Sequence, residues 1–424
     1  VVISVKKITV ASFASRLHGE SYYESLYELF KKYISKSNLD VVFTKPITSL
    51  EEAKSAGVES KGTLPVVLAL TGGTSRLIWE FARSGDHQRV LLIGHGEHNS
   101  LASAISARSR LDDDGVWNWL FHCSEPSSAE CAVIAERAMR VACAVSRLLG
   151  SRVLLVSETG ERGGVVEDFE EKFEASVDVI STSTLASKLE EASNELVEEF
   201  YSALERFEFK VPREGLSSVA KFYAVLKSIV EREGYVGVAV DCFPYLVKHK
   251  VTPCLALAAL NSTGTVAACE ADLASLALMV IYKGLTGLTG WIANTSMIRG
   301  NHVYFAHCTV AFNMVKSGRV VPHFESGYPY ALSGELVGNV YTFASLSRDY
   351  SVLVASTGRL VASGLLYETM CRTQGVLEVD FNAEKIPLYA PVNHHVLVPG
   401  DIREELRAAT TLLGIDYVDY RELA

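Results

Sequence analysis

Apolar positions recur along this chain with two spacings. From Val1 to Val10 they alternate with polar ones, which predicts a first strand, Lys6 and Lys7 included. No apolar core with a small-residue cleavage site follows, so this start reads as a strand and not as a signal peptide. Ser21–Lys36 carries Tyr23, Leu26, Leu29, Phe30 and Tyr33 at helical spacing. Short apolar strands are predicted at Leu39–Thr44, Leu64–Leu70 and Arg89–Ile93, with helices over Ser75–Ser84 and Leu101–Arg110. Strands alternating with helices, with polar Gly-rich turns after the strands, indicate an open parallel sheet whose carboxyl-end loops carry ligands.

A long amphipathic helix over Ser127–Leu149 leads into a second alternating unit. Its strands are expected at Arg152–Val156, Val177–Ile180, Val236–Val240 and Thr265–Cys269. An acidic helical stretch covers Leu185–Arg206, and an apolar helix starts at Leu273. After about residue 300 the texture becomes short strands with close turns: Val303–Ala306, Val320–Glu325, Asn339–Ser345, Ser351–Thr357, Arg359–Ser363, Val376–Phe381 and His394–Val398. A helix over Ile402–Leu413 closes the chain. The expected fold class is α/β, with parallel-sheet domains over 1–148 and 149–298 and a β-rich domain, a compact barrel or sandwich, with a terminal helix over 299–424.

Composition narrows the function classes. The chain has 424 residues, 48% apolar, and a net charge of −10. That excludes disorder as the main state and, without a dense basic run, argues against nucleic acid as a partner. No run approaches the ~20 apolar residues of a membrane span; the greasiest, Leu273–Tyr282, reads as a buried helix. Eight cysteines contain no CxxC pair. A reducing, cytoplasmic setting is therefore expected, with Cys131 and Cys143 as small core residues; a hyperthermophilic source would still allow disulfides.

The strongest chemical signal is Ala267-Ala268-Cys269-Glu270-Ala271-Asp272-Leu273, two carboxylates where a strand passes into a helix. Asp272 is either a helix N-cap, with Glu270 on the surface, or the pair forms a metal or acid/base site. In Asn393-His394-His395-Val396 the strand period turns adjacent histidines to opposite faces, so one at most meets a given site. A neutral imidazole suits Mn²⁺, Zn²⁺ or Co²⁺ beside carboxylates. The loops TGGTS (71–75) and GHGEHNS (94–100) offer backbone N–H groups to an anion or polyol. Thr71, Gly72, Gly73, Thr74 and Arg76, with His95, His98 and Asn99, are the candidate substrate contacts; His307 is a further one. TGGT lacks the last glycine of a dinucleotide fingerprint and no P-loop lysine follows, so no nucleotide cofactor is expected. Asp112-Asp113-Asp114-Gly115 lacks the downstream glutamate of a calcium loop.

Taken together, TGGTSRLI (71–78), HNSLASA (98–104), DCFP (241–244), TPCLALAALN (252–261), ACEADLASLALMVIYKGLTG (268–287), AHCTV (306–310), HFESG (323–327), CRTQ (371–374) and NHHVLVPGD (393–401) resemble the L-fucose and L-arabinose isomerase superfamily. The likeness is greatest to its shorter archaeal fucose-isomerase-like proteins. The resemblance implies two Rossmann-like domains followed by a β-barrel-type domain, assembled as a homo-trimer or homo-hexamer. It implies a Mn²⁺-dependent interconversion of aldose and ketose sugars through an enediol. Asp272 would match a metal-binding carboxylate and His394 the metal-binding histidine. The family's other metal-binding glutamate falls near Pro253-Cys254 or near Tyr245, where this chain has no carboxylate. Glu270 or Asp241 would have to take its place, which makes Asp272, Glu270 and Asp241 the catalytic candidates and Asp272, His394 and Glu270 the metal candidates.

Three functions are therefore carried forward: a sugar or sugar-derivative ketol isomerase; a sugar-binding or regulatory protein that kept the fold and lost the metal; and an epimerase or carbon–carbon lyase using the same enediolate.

Overall fold

The computed structural model describes residues 7–35 and 40–424. The chain divides into two compact units: one runs up to Leu149 and takes in Glu404–Ile415, the other holds Gly150–Arg403 and Asp416–Ala424. Residues 150–298 and the β-rich part lie in a single compact unit.

In the first unit, strands β1 (Ile8–Phe13), β2 (Val41–Phe43), β3 (Leu64–Ala69), β4 (Arg89–His95) and β5 (Trp117–Cys123) form an all-parallel sheet in the order β2-β1-β3-β4-β5. Helices α1 (Glu20–Ile34), α2 (Leu50–Glu59), α3 (Ser75–Ser84), α4 (Ser100–Asp113) and α5 (Ala129–Leu148) alternate with them. Every residue of β1 and β3 is buried, as a parallel sheet covered on both faces requires. The strand expected from Val1 is described from Ile8 onward. Its start, and the parts of the expected elements at 36–39, lie outside the described residues.

In the second unit, β6 (Arg152–Ser157) leads through α6 (Gly164–Phe173) to β7 (Ser176–Ser181). Then α7 (Thr182–Ser187), α8 (Asn194–Leu204), β8 (Glu208–Phe209) and α9 (Leu216–Glu233) precede β9 (Gly237–Val240). Helices α10 (Cys242–His249) and α11 (Cys254–Thr263) precede β10 (Val266–Cys269), and α12 (Leu273–Thr286) follows it. The parallel sheet has the order β10-β9-β6-β7. The acidic stretch is two helices and not one: α7 ends at Ser187, and Ser193 starts α8 afresh.

Beyond α12 the chain builds a closed six-stranded antiparallel barrel. Its strands are β11 (Trp291–Arg299), β12 (His302–His307), β15 (Val340–Leu346), β16 (Val352–Gly364), β17 (Thr373–Glu378) and β18 (His394–Pro399). They run in the order β15-β18-β11-β12-β17-β16, and β15 pairs with β16 to close the ring. The hairpin of β13 (Val315–Pro322) and β14 (Pro329–Leu336) carries β8 at its edge. Short α13 (Lys385–Tyr389) precedes β18, α14 (Arg403–Leu412) follows it, and β19 (Asp416–Asp419) pairs parallel with β16. From Glu404 on, α14 belongs to the first unit, where Arg137 of α5 binds Glu404 and Glu405 at 2.6 and 2.7 Å.

Two expectations are corrected. The strands expected at Ser351–Thr357 and Arg359–Ser363 are one strand, β16. Cys131, expected as a free core thiol, is disulfide-bonded to Cys123 with their Cα atoms 5.1 Å apart. No helix among the described residues is long and apolar enough to cross a membrane.

Candidate functional site

The carboxyl end of β10 and the ends of two barrel strands bring four ionisable side chains together in the second unit. β10 stops at Cys269, and the chain turns through Glu270 and Ala271, both left-handed (φ 57° and 52°), before α12 starts. Non-glycine residues in that region cost of order 1 kcal/mol or more each, and such strain gathers where a side chain must be aimed. Here it turns Glu270 toward His307, the last residue of β12, and His394, the first of β18. His307 Nε2 lies 3.3 Å from Glu270 Oε1, and His394 Nε2 lies 3.5 Å from Glu270 Oε2. The two imidazoles meet edge to face, 5.7 Å apart. His395 points the other way, into the barrel, where Nε2 meets the Tyr420 hydroxyl at 2.9 Å. The strand period thus separates the two histidines as the sequence requires.

Asp272 plays two parts at once. Its Oδ1 accepts the Ser275 backbone N–H at 2.9 Å, capping α12, and its Oδ2 accepts the Ser275 hydroxyl at 2.7 Å. The same Oδ2 accepts the His394 Nδ1–H at 2.8 Å. Burial opposes ionisation of Asp272, but the His394 bond and charge and the Ser275 bonds outweigh it and hold the carboxyl below its ordinary range. Glu270 is also held low: burial is outweighed by the His307 bond and the fields of His307 and His394. Burial pulls His394 down, yet Asp272 and Glu270 more than offset this and raise it.

This geometry fits a cation. With Nδ1–H given to Asp272, a neutral His394 turns its Nε2 lone pair toward the Glu270 carboxylate. Two acceptors face to face need a positive charge between them, either a second ring proton or a metal ion. His394 Nε2 is buried and has no hydrogen-bond partner. Carboxylate–histidine pairs of this kind orient metal-ligating imidazoles. Cys269, Glu270 and His307 each offer a ligand atom, all within 4.8 Å of one another. Among the described residues the three donors close enough to share one ion are thus those of Cys269, Glu270 and His307, while His394 Nε2 approaches the opposite oxygen of Glu270. Asp272 Oδ2 accepts from both Ser275 and His394, while Oδ1 accepts only the Ser275 N–H and keeps one lone pair.

Glu270, Asp272, Asn393, His394, Arg348 and Tyr350 line a pocket of about 460 Å³. Arg348 makes no side-chain bond among the described residues. Asp241 ends β9, one step beyond the Val240–Cys269 register pair. Burial, then Glu158, raises its pKa, and it bonds none of the four site residues. Tyr245 and Cys254, near which the resemblance implies a second metal-binding glutamate, are both buried; Tyr245 packs on Phe222 and His249. Sequence reasoning missed Cys269, Ser275, Arg348 and Tyr350. Cys269 lies inside the run already singled out, and Asp272-Leu273-Ala274-Ser275 is a cap pattern.

The other candidate contacts belong to the first unit and form a cluster of their own. Thr71 Oγ1 accepts the Ser15 N–H at 2.8 Å, and the Thr74 hydroxyl bonds Thr71 O and Ser103 Oγ. Gly72 N–H donates to His98 O at 2.7 Å, and a Cβ at Gly72 would meet Asn99 Cβ at 2.8 Å, so the two loops touch only because residue 72 is glycine. Gly73 is left-handed (φ 77°). His95 is buried and structural: Nδ1 accepts the Glu97 N–H at 3.3 Å and Nε2–H donates to Leu70 O at 3.1 Å. His98 and Asn99 are exposed and left-handed; His98 stacks on Tyr22 and its Nδ1 lies 3.1 Å from His18 Nδ1. Arg76 is exposed on α3.

No protein-family model matches the chain, and no curated protein matches it.

Proposed function

We propose that the second-unit site is that of a metal-dependent ketol isomerase acting on a sugar or sugar derivative through an enediol. The observation that carries this reading is the buried Nε2 of His394, without a hydrogen-bond partner and turned toward Glu270 by the Asp272 bond to Nδ1. Glu270 and His307, with Cys269 beside them, would hold the divalent cation, and His394 would reach it from the far side of the Glu270 carboxylate. Their oxygen and nitrogen donors suit Mn²⁺, and the neighbouring Cys269 thiol shifts the set toward Zn²⁺. When bound, such a cation draws charge from two substrate oxygens and eases removal of the proton on the carbon between them.

The chain's own residues supply the rest. Glu270 is ionised at neutral pH because His307 and His394 favour its charged form, so one Oε can take a proton from one substrate carbon and return it to the next. Asp272 keeps the His394 proton on Nδ1. Asn393 and Tyr350 line the pocket beside polar substrate groups. Arg348 adds a free guanidinium, which favours an acidic sugar derivative over a neutral sugar. The alternation of parallel strands and helices in both units is in keeping with the Rossmann-like domains that the resemblance implies.

The test is incubation of the metal-loaded protein in D₂O with neutral and acidic aldoses and ketoses, read by NMR. Deuterium entering the carbon next to the carbonyl, with aldose and ketose interconverting, is the expected result. Deuterium entry with inversion alone points to an epimerase. Saturable sugar binding that survives a chelator, with no exchange, sinks the enzyme reading in favour of a binding protein.

A further inference from the structure

Cys254, Cys308 and Cys371 are free thiols that meet in the second unit, where Cys371 packs against a buried group of Cys254, Cys308 and Ala331. One pair among them stands apart. Cys308 and Cys371 share a hydrogen bond between their sulfurs, and the Arg372 N–H donates to Cys308 Sγ. The fold brings these two together at the end of a ladder. β12 and β17 pair antiparallel as far as His307 opposite Thr373; Cys308 follows the one and Cys371 lies two residues before the other. Cys371 is also pinned in place. Buried Gln374 donates from Nε2 to Tyr367 O at 2.7 Å and to Cys371 O at 3.0 Å, and Arg372 Nε donates to Pro322 O at 2.7 Å. Cys308 is buried and Cys371 only partly so, and an entering reagent therefore meets Cys371 first. The bond from Cys308, helped by Arg372, holds that thiol below its ordinary range against burial, Glu325 and Glu270. A partly open cysteine with thiolate character, backed by a second thiol, is the arrangement that oxidants select.

We propose that Cys308 and Cys371 are an oxidation site, which a low-molecular-weight disulfide closes to a reversible Cys308–Cys371 bond that weakens cation binding next door. Cys371, as thiolate, attacks one sulfur of the small disulfide and expels the other as a thiolate. Cys308 gives its proton to solvent and attacks Cys371 Sγ, expelling the second small thiolate. Two protein thiols are thereby oxidised to one disulfide, and the small disulfide is reduced to two thiols. The coupling runs through the neighbours of Cys308. His307 precedes it and Thr309 follows it; Thr309 Oγ1 lies 3.2 Å from His307 Nδ1, while Nε2 faces Glu270 at 3.3 Å. A disulfide draws its sulfurs to about 2.05 Å, well inside the contact that two thiols keep. Cys308 moves with the two residues that aim the imidazole. The disulfide stands on the packing of the two sulfurs alone, and its effect on the cation rests on the metal reading of the Glu270 site.

The experiment treats the whole protein, reduced under native conditions where the buried Cys123–Cys131 bond persists, with oxidised glutathione. Thiols are counted in denaturant, disulfides are mapped by peptide mass spectrometry, and Co²⁺ affinity is read by chelator competition before and after. The expected thiol count falls from six to four, with Cys308 joined to Cys371. Co²⁺ affinity falls about tenfold or more, and a phosphine reductant restores it. Cys308→Ser traps glutathione on Cys371, and in Cys371→Ser the Co²⁺ affinity no longer responds to glutathione. Thermal melting shows whether each variant folds, and the count on the unaltered protein needs no variant. Six thiols remaining, or Cys371 joined to Cys254 instead, overturns the pair. A Cys308–Cys371 bond with unchanged Co²⁺ affinity overturns the coupling. No Co²⁺ bound in either state sinks the metal reading and the coupling with it, while the thiol count still decides the disulfide.

Discussion

Asp272 and His394, 122 residues apart in sequence, are joined by a 2.8 Å hydrogen bond that decides which nitrogen of the imidazole faces Glu270. Asp272 is also the N-cap of α12, so its two roles need separating. Asp272→Ser keeps a capping oxygen but cannot fix the His394 tautomer. Its expected effect is a loss of less than about 1 kcal/mol in stability and a fall of about 10–100-fold in divalent-metal affinity. Denaturant unfolding and chelator competition read the two separately. Equal losses for Asp272→Ser and Asp272→Ala in metal binding, with only the second destabilised, is the pattern expected. Undiminished metal affinity in both would remove the carboxylate–imidazole pair from the site.

The left-handed Ala271 gives a second prediction. Glycine adopts φ near 52° without the clash that alanine suffers. Ala271→Gly should therefore stabilise the second unit by about 0.5–1 kcal/mol, read as a higher denaturant midpoint. Destabilisation would show that the turn is not strained.

His87 sets a pH dependence in the first unit. Burial against Phe81 lowers its pKa to about 4, whereas an unfolded histidine titrates near 6.5. The unfolded chain therefore takes the proton first. Its contribution to stability is complete above about pH 6.5 and declines as the pH falls toward 4, by at most about 1.4 kcal/mol per pH unit. His87→Gln, which can keep a bond to Ser60, should flatten the profile over that window. An unchanged slope would assign the acid limb to other groups.

The Cys123–Cys131 bond closes a short loop of 8 residues separation. Chain-entropy reasoning gives it about 2–3 kcal/mol. Six of the eight cysteines should react with a thiol reagent in denaturant before reduction and all eight after it. Eight reactive thiols at the outset would restore the reduced state that the spacing suggested.

Much of this architecture is legible in the sequence because buried parallel strands are short apolar runs. Leu64–Ala69 and Arg89–His95 show themselves that way, as does the polar chemistry at the end of β10. Other elements hide for physical reasons. β16 looks like two strands because Gly358 reads as a turn. In the structure a Cβ there would meet Leu377 Cβ at 2.8 Å, so this glycine lets neighbouring strands approach and does not bend the chain. β11 loses its alternation at a bulge between Thr295 and Met297. Helix α2 carried a readable signal, the capping box of Ser49 and Glu52. His95 looks like a loop residue, yet the sheet extends two residues past Ile93 and buries it. The meeting of Glu270 with His307 and His394 depends on barrel closure, which no local pattern encodes.

The return of α14 to the first unit gives that unit a history as well as a shape. Its apolar face (Leu406, Ala408, Ala409, Leu412) is translated long after Leu149. At ribosomal speeds of about 5–20 residues per second, that wait lasts roughly 15–50 s. Throughout it, the groove meant for the helix stands open on a nearly finished body. A nascent chain left incomplete for so long is a natural client for a chaperone, and a gene fragment ending near residue 149 would carry the same wound permanently.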